Sequence, residues 1–125
     1  MSRLINDRLL TKEFLIENGI EEVSKDGKTI IQRGKHRHSV LRSQYRSETK
    51  KWSLSMTECI YIRGVYHYIQ DIVYAWYYGE KPLGKYVNFE DGNIYNFNLD
   101  NLYLDDNIRL SEGKYRAFLN NLNKL

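Results

Sequence analysis

One segment rich in asparagine and aspartate, YVNFEDGNIYNFNLDNL, is the first place in this sequence to look for chemistry. Its main polar residues are Asp91, Asn93, Asn96 and Asn101. Carboxylate and amide oxygens can hold a hard divalent cation, but the same side chains also bond their own backbone in turns. A loop of this polarity inside a small domain must therefore either satisfy itself through internal hydrogen bonds or bind something.

The three histidines, His36, His38 and His67, are the candidate general bases and metal ligands. Alternate residues of a strand face the same way, so His36 and His38 could form a two-ligand metal face. A solvated basic strand is the favoured interpretation of that pair, because no third ligand lies nearby in the sequence. His67 falls in a run of Ile, Val and Tyr, where we expect a packed or surface histidine of a strand.

The charges are unevenly distributed along the chain. Residues 90–106 hold five acids and no Lys or Arg, whereas the segment from Arg33 to Lys51, here called the basic segment, is rich in cations. Cations of this kind pair with phosphates, and Tyr45 among them offers a ring for stacking. The candidate DNA-binding residues are Arg33, Lys35, Arg37, Arg42, Arg46, Lys50 and Lys51.

Length and composition indicate one compact domain. The chain has 125 residues, 42% of them apolar, which is enough for a single hydrophobic core. Its net charge of +3 would not by itself indicate nucleic acid. The single cysteine, Cys59, excludes an intramolecular disulfide and suits a reducing compartment. No apolar run approaches the length of a membrane span, so we expect no membrane partner and a cytoplasmic location.

The local patterns predict a small α+β fold. A short helix should begin at Thr11 and stop at Gly19, and a second, apolar helix should run from Gln70 to Tyr78. Asp26-Gly27 is a signal for a tight hairpin, Arg63-Gly64 separates two further strands, and LYL near residue 103 is a short strand. Ser111 should cap a C-terminal amphipathic helix. Residues 1–60 form an N-terminal helix and basic hairpin region, packed as one domain with residues 61–125.

The order of these features, from about Tyr61 to Leu110, resembles the HNH endonucleases of phages and mobile introns. That family combines a strand, an apolar helix and a loop of the form D-H-x-D-G-N-x-x-N-N-x-x-x-N-L. The matching positions here are Asp91, Gly92, Asn93, Asn96, Asn101 and Leu102.

The departures from the family pattern fall where the resemblance implies chemistry. Phe89 stands at the position of the general-base histidine, and Asn88 at that of the first metal ligand. The second ligand position falls near Leu110, or at Asn107, and Gln70 replaces a histidine at the start of the apolar helix. A phenyl ring can neither accept a proton nor bind metal, and an amide is a weaker ligand than a carboxylate. The resemblance therefore implies a scaffold in which Phe89 fills the former catalytic cavity.

In that scaffold the remaining loop residues, Asp91, Asn93, Asn96 and Asn101, have structural roles. The first functional hypothesis is a catalytically inactive, HNH-like phage or mobile-element protein that binds DNA through the basic segment and needs no cofactor. The second is an inhibitor of a host protein such as a defence nuclease or polymerase. It would act through the acids of residues 90–106 and through exposed tyrosines among Tyr66, Tyr68, Tyr77, Tyr78, Tyr95 and Tyr103.

The third hypothesis is an active endonuclease with a displaced base. His67 or His38 would then deprotonate water, and Mg²⁺ or Mn²⁺ would be held by Asn88 and Asp91.

Overall fold

A computed structural model describes residues 8–46 and 51–106, with the backbone alone for residues 42–46 and 51–56. The described residues form a small α+β domain, as the sequence predicts. In chain order the elements are β1 (Leu10–Thr11), α1 (Lys12–Glu17), β2 (Ile20–Val23), β3 (Ile30–Gln32), β4 (Lys35–His36), β5 (Val40–Arg46), β6 (Lys51–Ile62), β7 (Val65–Tyr68), α2 (Ile69–Tyr78), β8 (Glu80–Lys81), β9 (Tyr86–Phe89), a 3₁₀-helix (Leu99–Asn101) and β10 (Leu102–Asp105).

The strands pair only with antiparallel neighbours within these residues. Two sheets have three strands, β2-β3-β4 and β5-β6-β7, and two are pairs, β1-β8 and β9-β10. No helix within the described ranges has the length and apolar character that crossing a membrane requires. The connection from Ser47 to Lys50 and the helix predicted after Ser111 lie outside the described residues.

Helix α1 begins where the sequence predicts. The Thr11 side chain accepts a hydrogen bond from the backbone N–H of Phe14 at 3.0 Å, which satisfies one of the donors left free at a helix start. Gly19, with φ of 88°, then turns the chain out of the helix into β2. This geometry places the buried Leu15 against the core.

The hairpin between β2 and β3 is confirmed, but the prediction of a tight turn at Asp26-Gly27 is wrong. Val23 pairs with Ile30, so residues 24–29 form a longer loop. The Asp26 carboxylate organises this loop by accepting hydrogen bonds from the Ser24 hydroxyl at 2.6 Å and the Lys28 N–H at 3.0 Å. Gly27 has φ of 71°, and a Cβ there would lie 2.8 Å from the Cβ of Phe97. The loop of residues 24–29 therefore packs closely against residues 90–101, here called the Asn/Asp loop.

Two matched Arg-Gly turns join two further hairpins. Arg33 and Gly34 connect β3 to β4 with φ of 50° and 77°, and Arg63 and Gly64 connect β6 to β7 with φ of 51° and 85°. Positive φ at both central residues is the geometry that suits the twist of a tight hairpin. The second turn is the one the sequence predicts, although β6 extends further back, to Lys51, because it also pairs with β5.

Helix α2 is the centre of the hydrophobic core. It runs from Ile69 to Tyr78, as predicted, and Gly79, with φ of 94°, ends it. Ile72 and Val73 are fully buried in a cluster that also holds Leu15 from the N-terminal region and Phe89 from β9. Both regions predicted from the sequence thus contribute to one core, which positions the Asn/Asp loop beside the basic segment.

Candidate functional site

The Asn/Asp loop connects β9 to β10. These strands are antiparallel, with Phe89 opposite Leu102, and the strand predicted from LYL is present as part of β10. The backbone N–H of Glu90 donates to the Asn101 carbonyl at 2.8 Å, which closes the base of the loop. The polar side chains of the loop are therefore held on a rigid hairpin.

Asp91 is the centre of the loop's hydrogen bonds. Its Oδ1 accepts from the Asn93 N–H at 2.8 Å and from Asn101 Nδ2 at 2.9 Å, and its Oδ2 accepts from Asn96 Nδ2 at 2.8 Å. In return, Asn101 Oδ1 accepts from the Asp91 N–H at 3.0 Å. Burial acts to raise the pKa of Asp91, but these hydrogen bonds outweigh it and hold the pKa below its usual value.

Three asparagines define the rest of the loop by bonding the backbone two residues ahead. Asn93 Oδ1 accepts from the Tyr95 N–H at 3.0 Å, Asn96 Oδ1 from Asn98 at 3.3 Å, and Asn98 Oδ1 from Asp100 at 3.2 Å. Such turns are a common use of asparagine in loops. The loop thus satisfies its own polar groups.

Changing Asp91 to Asn should lower the free energy of unfolding by about 2 kcal/mol, because a charged acceptor of three hydrogen bonds is lost. The matched control is Asp100→Asn, an exposed change in the same loop that should stay within about 0.5 kcal/mol of wild type. Urea denaturation at neutral pH measures both. Equal stabilities of the two variants would show that the Asp91 bonds do not stabilise the fold.

Phe89 and Asn88 lie in the interior at the end of β9. The Phe89 side chain is 4% exposed and its ring centroid lies 6.0 Å from that of Phe97. Asn88 is 1% exposed, and its Nδ2 donates to the Tyr86 carbonyl at 3.3 Å. The two positions that the resemblance assigns to the base and the first metal ligand are therefore packed positions.

A metal on Asn88 and Asp91 would have to compete with existing bonds. Both carboxylate oxygens of Asp91 already accept hydrogen bonds from the loop. Within the described residues, no group of three or more His, Cys, Asp or Glu side chains lies close enough together to hold a metal ion. The second ligand position, Leu110 or Asn107, lies outside those residues.

His67 lies on β7, and its side chain is buried. Its ring is 7% exposed, its centroid is 5.7 Å from that of Phe14, and Nε2 has no hydrogen-bond partner among the described residues. Burial, followed by the nearby charges of Arg8 and Lys81, lowers the pKa of His67 to about 4. The imidazole is therefore neutral at pH 7.

His36 and His38 lie together, although β4 ends at His36 and His38 follows outside the strand, so the alternation predicted for a continuous strand does not apply. Their rings meet edge to face with centroids 4.7 Å apart, and His36 Nε2 lies 3.2 Å from the Lys28 carbonyl oxygen. Both line a cavity of about 310 Å³, here called the loop cavity, whose other walls include Arg37 from the basic segment and Tyr95 from the Asn/Asp loop.

The cations of the basic segment occupy different environments. Arg33 and Lys35 are exposed. The Arg37 guanidinium donates to Gln32 Oε1 and, at 3.1 Å, to the Tyr61 carbonyl, so it is held against the sheet. The backbones of Arg42 and Arg46 lie on β5 and that of Lys51 begins β6, but their side chains, like all of Lys50, lie outside the description.

A buried polar group at the start of α2 was not predicted. Gln70 is 1% exposed, and neither amide atom has a partner among the described residues. Burial raises the pKa of the neighbouring Asp71 to about 7, against the attraction of Lys81. Lys81 is fully buried and donates to the Lys85 carbonyl at 3.1 Å. Polar residues in a first helical turn are ordinary in sequences, so nothing in the sequence signals their burial.

Comparison with known proteins identifies no relative: no protein family, curated protein or solved structure matches this chain.

Proposed function

We propose that this chain is an HNH-like scaffold without its general base, which binds DNA through the basic segment and acts there by occupying the DNA. The observation that carries the proposal is the loop cavity. It brings His36, Arg37 and His38 of the basic segment together with Tyr95 of the Asn/Asp loop on one concave surface. The exposed Tyr95 ring can stack a base there, while cations of the basic segment beside the cavity hold the nucleic-acid backbone.

The absence of catalysis rests on the packing of β9. General-base catalysis needs a group within hydrogen-bond reach of the attacking water, and the residue at that position is a phenyl ring in the core. The Asp91 carboxylate supports the same interpretation, since its hydrogen bonds brace the loop instead of facing a ligand. On this proposal the β9–β10 hairpin, which corresponds to the catalytic hairpin of an HNH nuclease, serves as a structural support.

The charges around the loop cavity indicate how DNA would lie on it. Lys28 lines the cavity, and so do the acids Asp26 and Glu58. The acids would repel phosphates from the cavity, whereas the exposed Arg33 and Lys35 lie on the hairpin turn and strand beside it. Phosphates should therefore contact the exposed cations, while the cavity and Tyr95 receive a base.

The test is DNA binding by a variant that combines Arg33→Asn with Lys35→Gln. Each lost phosphate contact should reduce the log-log salt slope by about 0.9, and affinity at low salt should fall by about tenfold or more. Arg33→Asn keeps a residue that favours positive φ in the turn, so the fold should be retained. Lys25→Gln, which removes an exposed lysine outside the basic segment, is the control.

Unchanged binding by the double variant would contradict a role for these two cations. DNA cleavage in Mn²⁺ that disappears on changing His67 to Ala would instead support the active-nuclease alternative.

An inhibitor of a host protein is the second candidate function. Tyr78 is 61% exposed and Leu83 is 73% exposed, so apolar side chains reach solvent at the end of α2 and just after it. Exposed aromatic residues concentrate binding energy at protein interfaces. The acidic part of that hypothesis is weaker, because Asp91 is bonded within its loop and Asp106 forms an ion pair with Lys85. Tyr68, one of the tyrosines considered, is buried. Absence of any DNA binding would favour this function.

A further inference from the structure

A second cavity, here called the arginine cavity, lies between the segment before α1 and the β6–β7 turn. Its volume is about 320 Å³, and Arg8, Arg63 and His67 supply its polar lining. Its remaining walls are apolar and include Leu10, Phe14 and Ile62. A concave, mostly apolar site with a few convergent polar groups is the usual form of a small-molecule site.

The polar groups of this cavity are cationic or unpaired. Among the described residues, no acid lines it, and none forms an ion pair or hydrogen bond with the Arg8 or Arg63 guanidinium. His67, which is more than nine-tenths buried, has an Nε2 without a partner among the described residues. Arg8 lies close enough to His67 for its charge to lower the pKa of the imidazole. Two guanidinium donors and an unpartnered imidazole nitrogen, from separate parts of the chain, thus surround one space.

The charge and the walls together define a class of ligand. Two guanidinium groups without an acid would balance a phosphomonoester, which carries about −1.5 to −2 charges at neutral pH, better than a single carboxylate. Inorganic phosphate would leave the apolar walls uncovered. We propose that the arginine cavity binds a phosphomonoester joined to an apolar ring, with the phosphate on Arg8 and Arg63 and the ring against Phe14.

This site is distinct from the surface proposed for DNA. Ile60 lines the loop cavity and Ile62 lines the arginine cavity, two positions apart on β6 and therefore about 7 Å apart along the strand. The internal phosphates of a DNA strand are diesters, whereas the proposed ligand is a monoester. Either a free nucleotide or a 5′-phosphorylated strand end could supply it.

The first experiment titrates the full chain with phenyl phosphate and follows the His67 imidazole signals by NMR. Saturable binding with a dissociation constant of about 1 mM or lower is expected. The bound dianion should also raise the pKa of His67 above about 4, because it offsets the charges of Arg8 and Lys81, which act with burial to lower that pKa. No binding of phenyl phosphate, or binding that leaves the His67 signals unchanged, would overturn the proposal.

An exposed lysine outside both cavities provides the control. Arg63→Asn should weaken phenyl phosphate binding by about tenfold or more, through loss of a charged bidentate donor. Lys25→Gln removes a cation that lines neither cavity, and should leave binding of phenyl phosphate unchanged. Arg8→Gln should weaken binding as Arg63→Asn does. Equal weakening by Lys25→Gln and Arg63→Asn would contradict the site.

The source of the ligand is identified by comparing thymidine 5′-monophosphate with a single strand carrying or lacking a 5′-phosphate. Preference for the free nucleotide, or for the phosphorylated strand, supports the site and assigns the source. The comparison is made in the Arg33→Asn, Lys35→Gln variant, so that failure of the DNA proposal and failure of this one remain distinguishable. Equal binding of both strands and no binding of the nucleotide would overturn the proposal.

Discussion

Changing Phe89 to Ala is expected to lower the free energy of unfolding by about 3 to 5 kcal/mol. The ring is 4% exposed, packs beside Phe97, and belongs to the core cluster built around Ile72 and Val73 of α2. Removing it takes away apolar burial and leaves a cavity that a rigid hairpin cannot close. Urea denaturation measures the effect as a lower midpoint.

Leu83→Ala is the control for this change, because it removes an apolar side chain that is 73% exposed and should alter stability by no more than about 0.5 kcal/mol. A large effect for Phe89 and a negligible one for Leu83 would show that the Phe89 position is a core position. A Phe89→Ala variant as stable as wild type would mean that the ring does not pack as described, and that the position is open to a ligand.

Changing Asp71 to Asn is expected to stabilise the protein at pH 8 by up to about 4 kcal/mol and to have little effect below pH 4. Burial raises the pKa of Asp71 to about 7 from a usual value of 3.8, while Lys81 partly opposes the rise. The folded state holds the carboxyl protonated, so its contribution is fully present below pH 3.8 and is lost as pH rises through about 7. Asparagine has no proton to lose, so the variant avoids that loss.

The measurement is the difference between variant and wild type in urea denaturation at pH 4 and pH 8. The difference between the two proteins cancels the contribution of His67, whose titration changes the free energy of unfolding in the opposite direction with pH. Its pKa is lowered to about 4 from 6.5, so its contribution is present above pH 6.5 and is lost as pH falls through about 4. The same difference at both pH values would contradict a buried, protonated Asp71.

Local signals predicted the elements well. The Thr11 cap, the Arg63-Gly64 turn and the apolar run of α2 each act through residues near in sequence, and each is present in the fold. The hairpin at Asp26-Gly27 formed with a longer loop than expected, because the turn also packs against Phe97, far along the chain. A contact between residues so far apart in the sequence gives no local sequence signal.

The environment of the site residues was less predictable. Spacing marks Asp91 as a loop residue, but whether its carboxylate faces solvent or Asn96 and Asn101 depends on how residues 91–101 fold back. The burial of Gln70 and Lys81 was missed for the same reason, since pairing between β1 and β8 and packing of α2 enclose them only in the folded domain. The cationic lining of the arginine cavity likewise joins residues 8 and 63, which no short motif connects.

DNA binding without cleavage is tested most directly by the salt dependence of binding by the unmodified protein, measured by anisotropy of a labelled duplex in the presence of Mg²⁺. We expect the logarithm of the binding constant to fall linearly with the logarithm of salt concentration, with a slope of about −2 or steeper, and the duplex to remain uncut. A duplex that is not bound, that is bound with no dependence on salt, or that is cleaved would contradict the proposed function.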